Sequence, residues 1–268
     1  MNFSSILFEK EEENLKSETL EAPAFFVDLN LDQIIDAVTA GRDDYHLKPF
    51  FFVPLRDIDA IKYRQEIMLD LENGALQETI RSFSQKMVMM RRYLAMIEKL
   101  YYKYNKEGWF LEAVIIYCDA VKGLANDLSK TELKSRGLLA FRDYITSYAG
   151  SESFVSLLRE TEALKTDLST VTYCMLIDGG KVQVRSYESE IDYSIEVEKT
   201  FEKFKQGAVK DYLSKLPLGS GMNHVEAAVL DLVAKLHPET FSSLDEYCAR
   251  NAGFLDETIA VFDREIQF

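Results

Sequence analysis

The sequence predicts a mainly α fold, an elongated bundle of long helices with one small β-hairpin. Three observations predict it. Only 12 Gly and 5 Pro occur in 268 residues, few for an all-β chain that must turn often. An apolar share of 47% with 12% aromatics describes a chain that buries a core, as one large domain or two smaller ones. From Ala75 to Tyr104 neither Pro nor Gly interrupts a helical spacing of apolar residues.

The elements follow in order. DLNLDQIIDAVTAG reads as a short helix with Leu31, Ile34, Ile35 and Val38 on its apolar face. Asn30 is its expected N-cap, Gln33 completes a capping box and Gly41 stops it. Pro49 and Pro54 bracket FFFV, which is expected to be extended or turning because residues before proline avoid the α region. Asp57 caps the next helix, where Ile58, Ile61, Met68 and Leu71 span an apolar arc with Arg64 inside it and Gln65 at its margin. A buried charge must be paired and hydrogen-bonded. Arg64 is therefore expected to satisfy helix-end carbonyls or a carboxylate, with Phe50–Phe52 packed nearby.

The helix from Ala75 to Tyr104, if unbroken, is roughly 45 Å long at 1.5 Å per residue. Met89, Met90, Tyr93, Leu94, Met96, Ile97, Leu100, Tyr101 and Tyr104 share its apolar face. Helices follow around Trp109–Leu128, Lys134–Tyr148 and Ser151–Lys165. Two β-rich runs around DGGK then give the strongest hairpin signal in the chain. Ile191 onward returns to helix with SIEVEKTFEKFKQ, and LPLGSGMNH reads as a loop. Asn223 and Glu226 form a second capping box for HVEAAVLDLVAKLH, which Pro238 ends. A final helix begins near Phe254 and reaches Phe268 with no C-cap, Gly or basic last turn, so natural sequence is expected to continue past it.

Charge narrows the function classes. A formal net charge of −14 repels DNA and anionic lipid at long range, which disfavours uniform non-specific nucleic-acid binding. Cys118, Cys174 and Cys248 are odd in number and lack zinc-ligand spacing, as expected of reduced thiols in a cytoplasmic protein. MNFSSILFEKEEENLK is not a signal peptide, and no apolar run is long enough to span a membrane.

No catalytic residue and no metal ligand is singled out. Arg92, Lys99, Lys103 and Lys106 fall on one stripe of the long helix, with Arg81 as an extension. The stripe either meets phosphates or is a solvated basic face pairing with nearby acids. Lys181 and Arg185 on the hairpin either reach DNA or belong to a plain hairpin, which needs docking or a partner because two strands alone are marginal. GSGMN is either an anion nest or a flexible loop. His46, His224 and His237 lack ligand spacing and read as surface or capping residues.

LKPFFFVPLRDIDAIKYRQEIMLDLE resembles the core segment of the MutS family of DNA mismatch-repair ATPases, in which a basic and aromatic run leads to a proline, an acidic helix cap and Ile-x-x-Arg. The matching positions are Leu47, Lys48, Phe50, Pro54, Asp57, Ile61 and Arg64. KSRGLLAFRDY, EIDYSIEVEKTFEKFKQGAVKDY, EAAVLDLVAKLHPE and FLDETIAVFDREIQF are similar to a bacterial MutS-related subfamily, so the resemblance covers most of the chain.

The resemblance implies an N-terminal acidic segment and short helix over 1–45, then a helical core/lever domain over 46–268 with its hairpin at about 171–187. That domain would be truncated before a C-terminal ATPase domain. It also implies no cofactor in this chain, with ATP and Mg bound by that ATPase, and possible DNA binding in the full-length protein. A homodimer would form through the ATPase domain, and no membrane is involved. The departures are a missing Gly-x-x-x-x-Gly-Lys-Ser/Thr loop, a missing Phe-x-Glu wedge and a DNA clamp reduced to the hairpin at Val171–Tyr187.

Three functional expectations result. The first is a non-catalytic relay of ATP-driven motion in a MutS-like repair or recombination ATPase. The second is a self-contained helical protein-interaction scaffold unrelated to DNA. The third is a carboxylate-rich metal hydrolase, for which no acidic cluster offers ligand geometry.

Overall fold

The computed structural model describes residues 3–9, 21–189, 193, 195, 196 and 222–268. Among them are eleven α-helices and one antiparallel hairpin, a mainly α fold. In chain order the helices are α1 (Phe25–Asp28), α2 (Leu31–Thr39), α3 (Lys48–Phe52), α4 (Ile58–Leu71), α5 (Gly74–Ile97), α6 (Lys103–Lys130), α7 (Arg136–Ala149) and α8 (Glu152–Ser169). Strands β1 (Tyr173–Asp178) and β2 (Lys181–Ser186) follow, then α9 (His224–Leu236), α10 (Pro238–Arg250) and α11 (Glu257–Glu265). Among the described residues no helix is long and apolar enough to cross a membrane. Cys118, Cys174 and Cys248 are thiols.

The chain forms two compact units. The first comprises Met1–Tyr93, Glu112–Thr161 and Asn251–Phe268, and the second Leu94–Leu111 and Glu162–Arg250.

In the first unit α6 supplies the spine. Ala113, Val114, Tyr117, Cys118, Val121, Leu124 and Leu128 recur at helical spacing and all are buried. Buried Leu138, Phe141 and Ile145 line α7, and buried Leu76, Phe83, Met87 and Met90 line α5. Phe262 of α11 stacks on Phe141 at 3.6 Å and meets Phe83 at 5.9 Å, so α11 is inserted between α7 and α5. α4 packs on α7 at Gly137. A Cβ there would stand 2.6 Å from Tyr63 Oη and 2.7 Å from Ile67 Cδ1, so only glycine permits this approach.

In the second unit Tyr173↔Ser186 through Asp178↔Lys181 set the hairpin register, and Gly179 takes φ 58° in the two-residue turn. β2 docks on α9. Phe241, Leu244 and Tyr247 form the buried face of α10, with Tyr104 edge-on to Phe241 at 4.9 Å. Asn223 accepts from Val225 N–H and Glu226 N–H while the Glu226 carboxylate accepts from Asn223 N–H, a complete capping box on α9.

The structure corrects several expectations. The helix from Ala75 to Tyr104 is broken: α5 ends at Ile97 in tight turns, Lys99 N–H to Met96 and Leu100 N–H to Ile97, and α6 starts at Lys103. The break falls beside Tyr101 and Tyr102, aromatic residues that lose side-chain freedom in a helix. With it goes the single apolar face, since Met90 is buried while Met89 and Tyr101 are exposed.

FFFV is not extended. Phe50–Phe52 are helical in α3, with Pro49 in its first turn, where a missing N–H costs nothing. Only Val53, before Pro54, is extended (φ −81°, ψ 110°). Asn30 sits in the left-handed region at φ 53° and does not cap α2; its Oδ1 accepts from Gln33 Nε2 instead. On α2 Ile35 is buried whereas Ile34 and Val38 are exposed.

The arc on α4 is rotated as well. Ile58, Ile61 and Met68 are exposed, and Tyr63 and Ile67 are the buried pair, because they are the residues facing Gly137. Gln65 is exposed. α10 was not expected at all. SIEVEKTFEKFKQ lies almost wholly, and the glycines of GSGMN wholly, outside the described residues.

Candidate functional site

The most elaborated polar site in the first unit grips the segment 3–9. Ser5 folds that segment on itself: its hydroxyl accepts from Leu7 N–H (3.0 Å) and Phe8 N–H (2.9 Å) and donates to Glu265 Oε1 (2.6 Å). The second oxygen of Glu265 accepts from Ile6 N–H at 2.8 Å. Tyr63 Oη donates to the Ser5 carbonyl at 2.7 Å, and Arg64 Nε donates to the Leu7 carbonyl at 2.7 Å. Phe3, Ser5, Ile6, Leu7 and Phe8 are all buried.

Arg64 joins both ends of the sequence. Its guanidinium lies 4.8 Å from the Phe8 ring centroid and 5.7 Å from that of Phe268. Phe268 in turn packs on Phe50 and Phe51 at 6.0 and 4.6 Å. Pro54 and Asp57 set this up: Pro54 follows extended Val53, and Asp57 caps α4 by accepting Asp59 N–H at 3.0 Å. Ile61 lies on the outer face of α4.

Carboxylates surround the site. Arg136 at the start of α7 meets Glu9 (2.9 Å), Glu66 (3.1 Å) and Asp59 (3.5 Å). Asp70 of α4 accepts the N–H groups of Lys134 and Ser135 at 2.9 and 2.7 Å, satisfying donors ahead of α7. Burial pushes the Glu265 carboxyl up to about 7, opposed by the Ser5 hydroxyl and the Ile6 N–H. Burial likewise raises Tyr63, helped by the negative charge of Glu265. Two residues before Glu265, buried Asp263 pairs with Arg91, whose other arm bonds the Tyr45 hydroxyl and whose plane lies 4.5 Å from the Tyr45 ring centroid. α11 thus carries two buried carboxylates, each held by a different element.

The sequence-based candidates for DNA contact fall on separate elements. Arg92 is exposed on α5 in the first unit. Lys99 is exposed in the break between α5 and α6, and half-buried Lys106 lies on α6, both in the second unit. The broken helix therefore provides no single stripe. Lys103 is committed to acids, at 2.9 Å from Asp245 and 3.7 Å from Glu107. Exposed Arg81 pairs with Glu78 at 3.2 Å. Lys181 is exposed in the last hairpin pair, and Arg185, opposite Cys174, lies 4.0 Å from Glu188.

The second unit has its own acidic cluster at Lys103. Burial, then a hydrogen bond that protonated Glu107 donates to the Asp245 carboxylate, pushes Glu107 up to about 7. Burial, with the negative charges of Glu107 and Asp245, pushes the Cys248 thiol up to about 12, and Cys248 Sγ donates to the Glu107 carbonyl at 3.8 Å. A thiol held neutral is a poor nucleophile. His46 is left-handed at φ 48°, His224 opens α9, and His237 Nε2 contacts the Thr172 carbonyl at 3.1 Å. Among the described residues no group of three or more His, Cys, Asp or Glu is placed to hold a metal ion.

Sequence reasoning found Arg64 but missed Tyr63, Glu265, Ser5 and Gly137. The available signal was the apolar NFSSILF run ahead of the acids, which needs a surface to cover it. No protein-family model, curated protein or solved structure matches this chain.

Proposed function

We propose that the chain is the N-terminal helical core of a MutS-like DNA repair or recombination ATPase: a cytoplasmic, non-catalytic relay of ATP-driven motion to DNA. The supporting observation is the joint at Arg64. Arg64, the last residue of the Pro54–Asp57–Ile61–Arg64 run that carries the resemblance, contacts the Leu7 carbonyl and the Phe8 and Phe268 rings. A displacement of α11 reaches Arg64 and segment 3–9 directly, as a relay requires.

In this reading ATP and Mg belong to an ATPase domain encoded after Phe268, through which two copies pair. Of the candidate cations, Arg92, Lys99 and Lys181 are exposed and so open to phosphates. The experiment is to read and express the coding sequence beyond Phe268. A phosphate-loop lysine motif and ATP hydrolysis by the longer chain are expected, with none from residues 1–268 alone. A stop codon after Phe268, or turnover by the 268-residue chain itself, overturns the reading.

A second reading, a helical protein-interaction scaffold, has its own support. β1 exposes Tyr173, Met175, Leu176 and Ile177, apolar side chains on both of its faces.

A further inference from the structure

Segment 3–9 is bound the way a receptor binds a peptide. Five of its backbone polar groups are held by side chains from α4 and α11 and by its own Ser5: Tyr63 holds the Ser5 carbonyl, Glu265 the Ile6 N–H, Arg64 the Leu7 carbonyl, and Ser5 the Leu7 and Phe8 N–H groups. Its apolar side chains enter separate places. Phe3 packs on Phe141 at 5.0 Å, while Phe8 packs on Phe50 at 6.1 Å under the Arg64 guanidinium. Ile6 and Ser5 are 2% and 1% exposed, so the grip is dry. Strands and helices of an ordinary core satisfy their own backbone; here the groove does it instead. The recognition is specific in chemistry, since Ser5 uses its hydrogen and both lone pairs.

We propose that the surface formed by α4, α7 and α11 is a recognition groove for a short serine-centred apolar peptide, filled here by the chain's own residues 3–9 and exchangeable for a copy supplied in trans. The segment is covalently attached, so its binding is intramolecular and a free peptide at micromolar concentration does not displace it. Cutting the tether removes that advantage. The groove stands independently of any contact with DNA.

The test uses the full 268-residue chain with a specific protease site placed between residues 10 and 20, cleaved after folding. A fluorescent peptide of sequence NFSSILFE is then added and its anisotropy followed, with circular dichroism recorded on the same sample. The expected result is uptake of the peptide by the cleaved protein, no uptake by the uncleaved one, and an unchanged helical signal. A peptide carrying Ser5→Ala is expected to compete about tenfold less well or worse, and Glu265→Gln in the protein to speed peptide release about tenfold or more.

Exclusion of the peptide from a folded, cleaved chain overturns the proposal. So does loss of helical signal when the segment leaves, which makes residues 3–9 ordinary core. Equal uptake by cleaved and uncleaved protein overturns it too, since that binding is outside the groove.

Discussion

Glu265 is a carboxylate in a dry site, and its titration is a stability statement. Its folded value of about 7 stands above the 4.5 of an exposed glutamate, so between those values the folded chain holds more protons than the unfolded one. Stability from this group therefore falls as pH rises from about 4.5 to 7. Glu265→Gln removes that component: urea denaturation at pH 5 and pH 7.5 should show wild type losing stability relative to the variant over the rise. Gly137 makes a steric prediction. A Cβ 2.6 Å from Tyr63 Oη has no room, so Gly137→Ala should lower stability by about 1–3 kcal/mol, read as a lower urea midpoint. Arg64 and Glu265 differ in how legible they are in the sequence. Arg64 stood out because a charge interrupted an apolar pattern, although the arc itself was misplaced by the Tyr63–Gly137 contact. Glu265 ends the short acidic run DRE, which by default is a solvated face. Ser5 and the Ile6 N–H make it a buried acceptor, and local sequence does not encode them.

Among elements, caps and turns were the most legible because their chemistry is local. Asn223 and Glu226 announced α9, and DGGK announced the hairpin. Asn223→Ala should cost about 1 kcal/mol, measurable as faster amide exchange in the first turn of α9. The break between α5 and α6 carried no Gly or Pro, so periodicity ran straight through it. α10 is hidden for the opposite reason: Pro238 ends one helix and also opens the next, at a position that suits proline. Its face was present in Phe241, Leu244 and Tyr247, spaced by three residues in a mostly polar stretch. α3 shows the same principle, with Pro49 starting a helix that proline was expected to exclude.

For the whole molecule, a net charge of −14 means that any DNA affinity depends on a few exposed cations and on salt. If Arg92 and Lys99 each contact a phosphate, Arg92→Glu with Lys99→Glu should flatten the slope of log K against log salt by about 2, in titrations of the longest natural chain with duplex DNA. Unchanged slopes remove both residues from the interface. Lys103 is unsuited to that test because its reversal also breaks its pairs with Glu107 and Asp245. The Ser5–Glu265 bond has a consequence for biosynthesis. Its partners are 260 residues apart, so the groove that covers Phe3 to Phe8 is completed only after that length of chain has been made. At roughly 5–20 residues per second, Phe3 to Phe8 leave the ribosome about 13–50 s before Glu265 does. Through that interval the nascent chain carries an uncovered apolar segment, so ribosome-bound chains stalled before Asn251 are expected to be the form that chaperones and proteases engage.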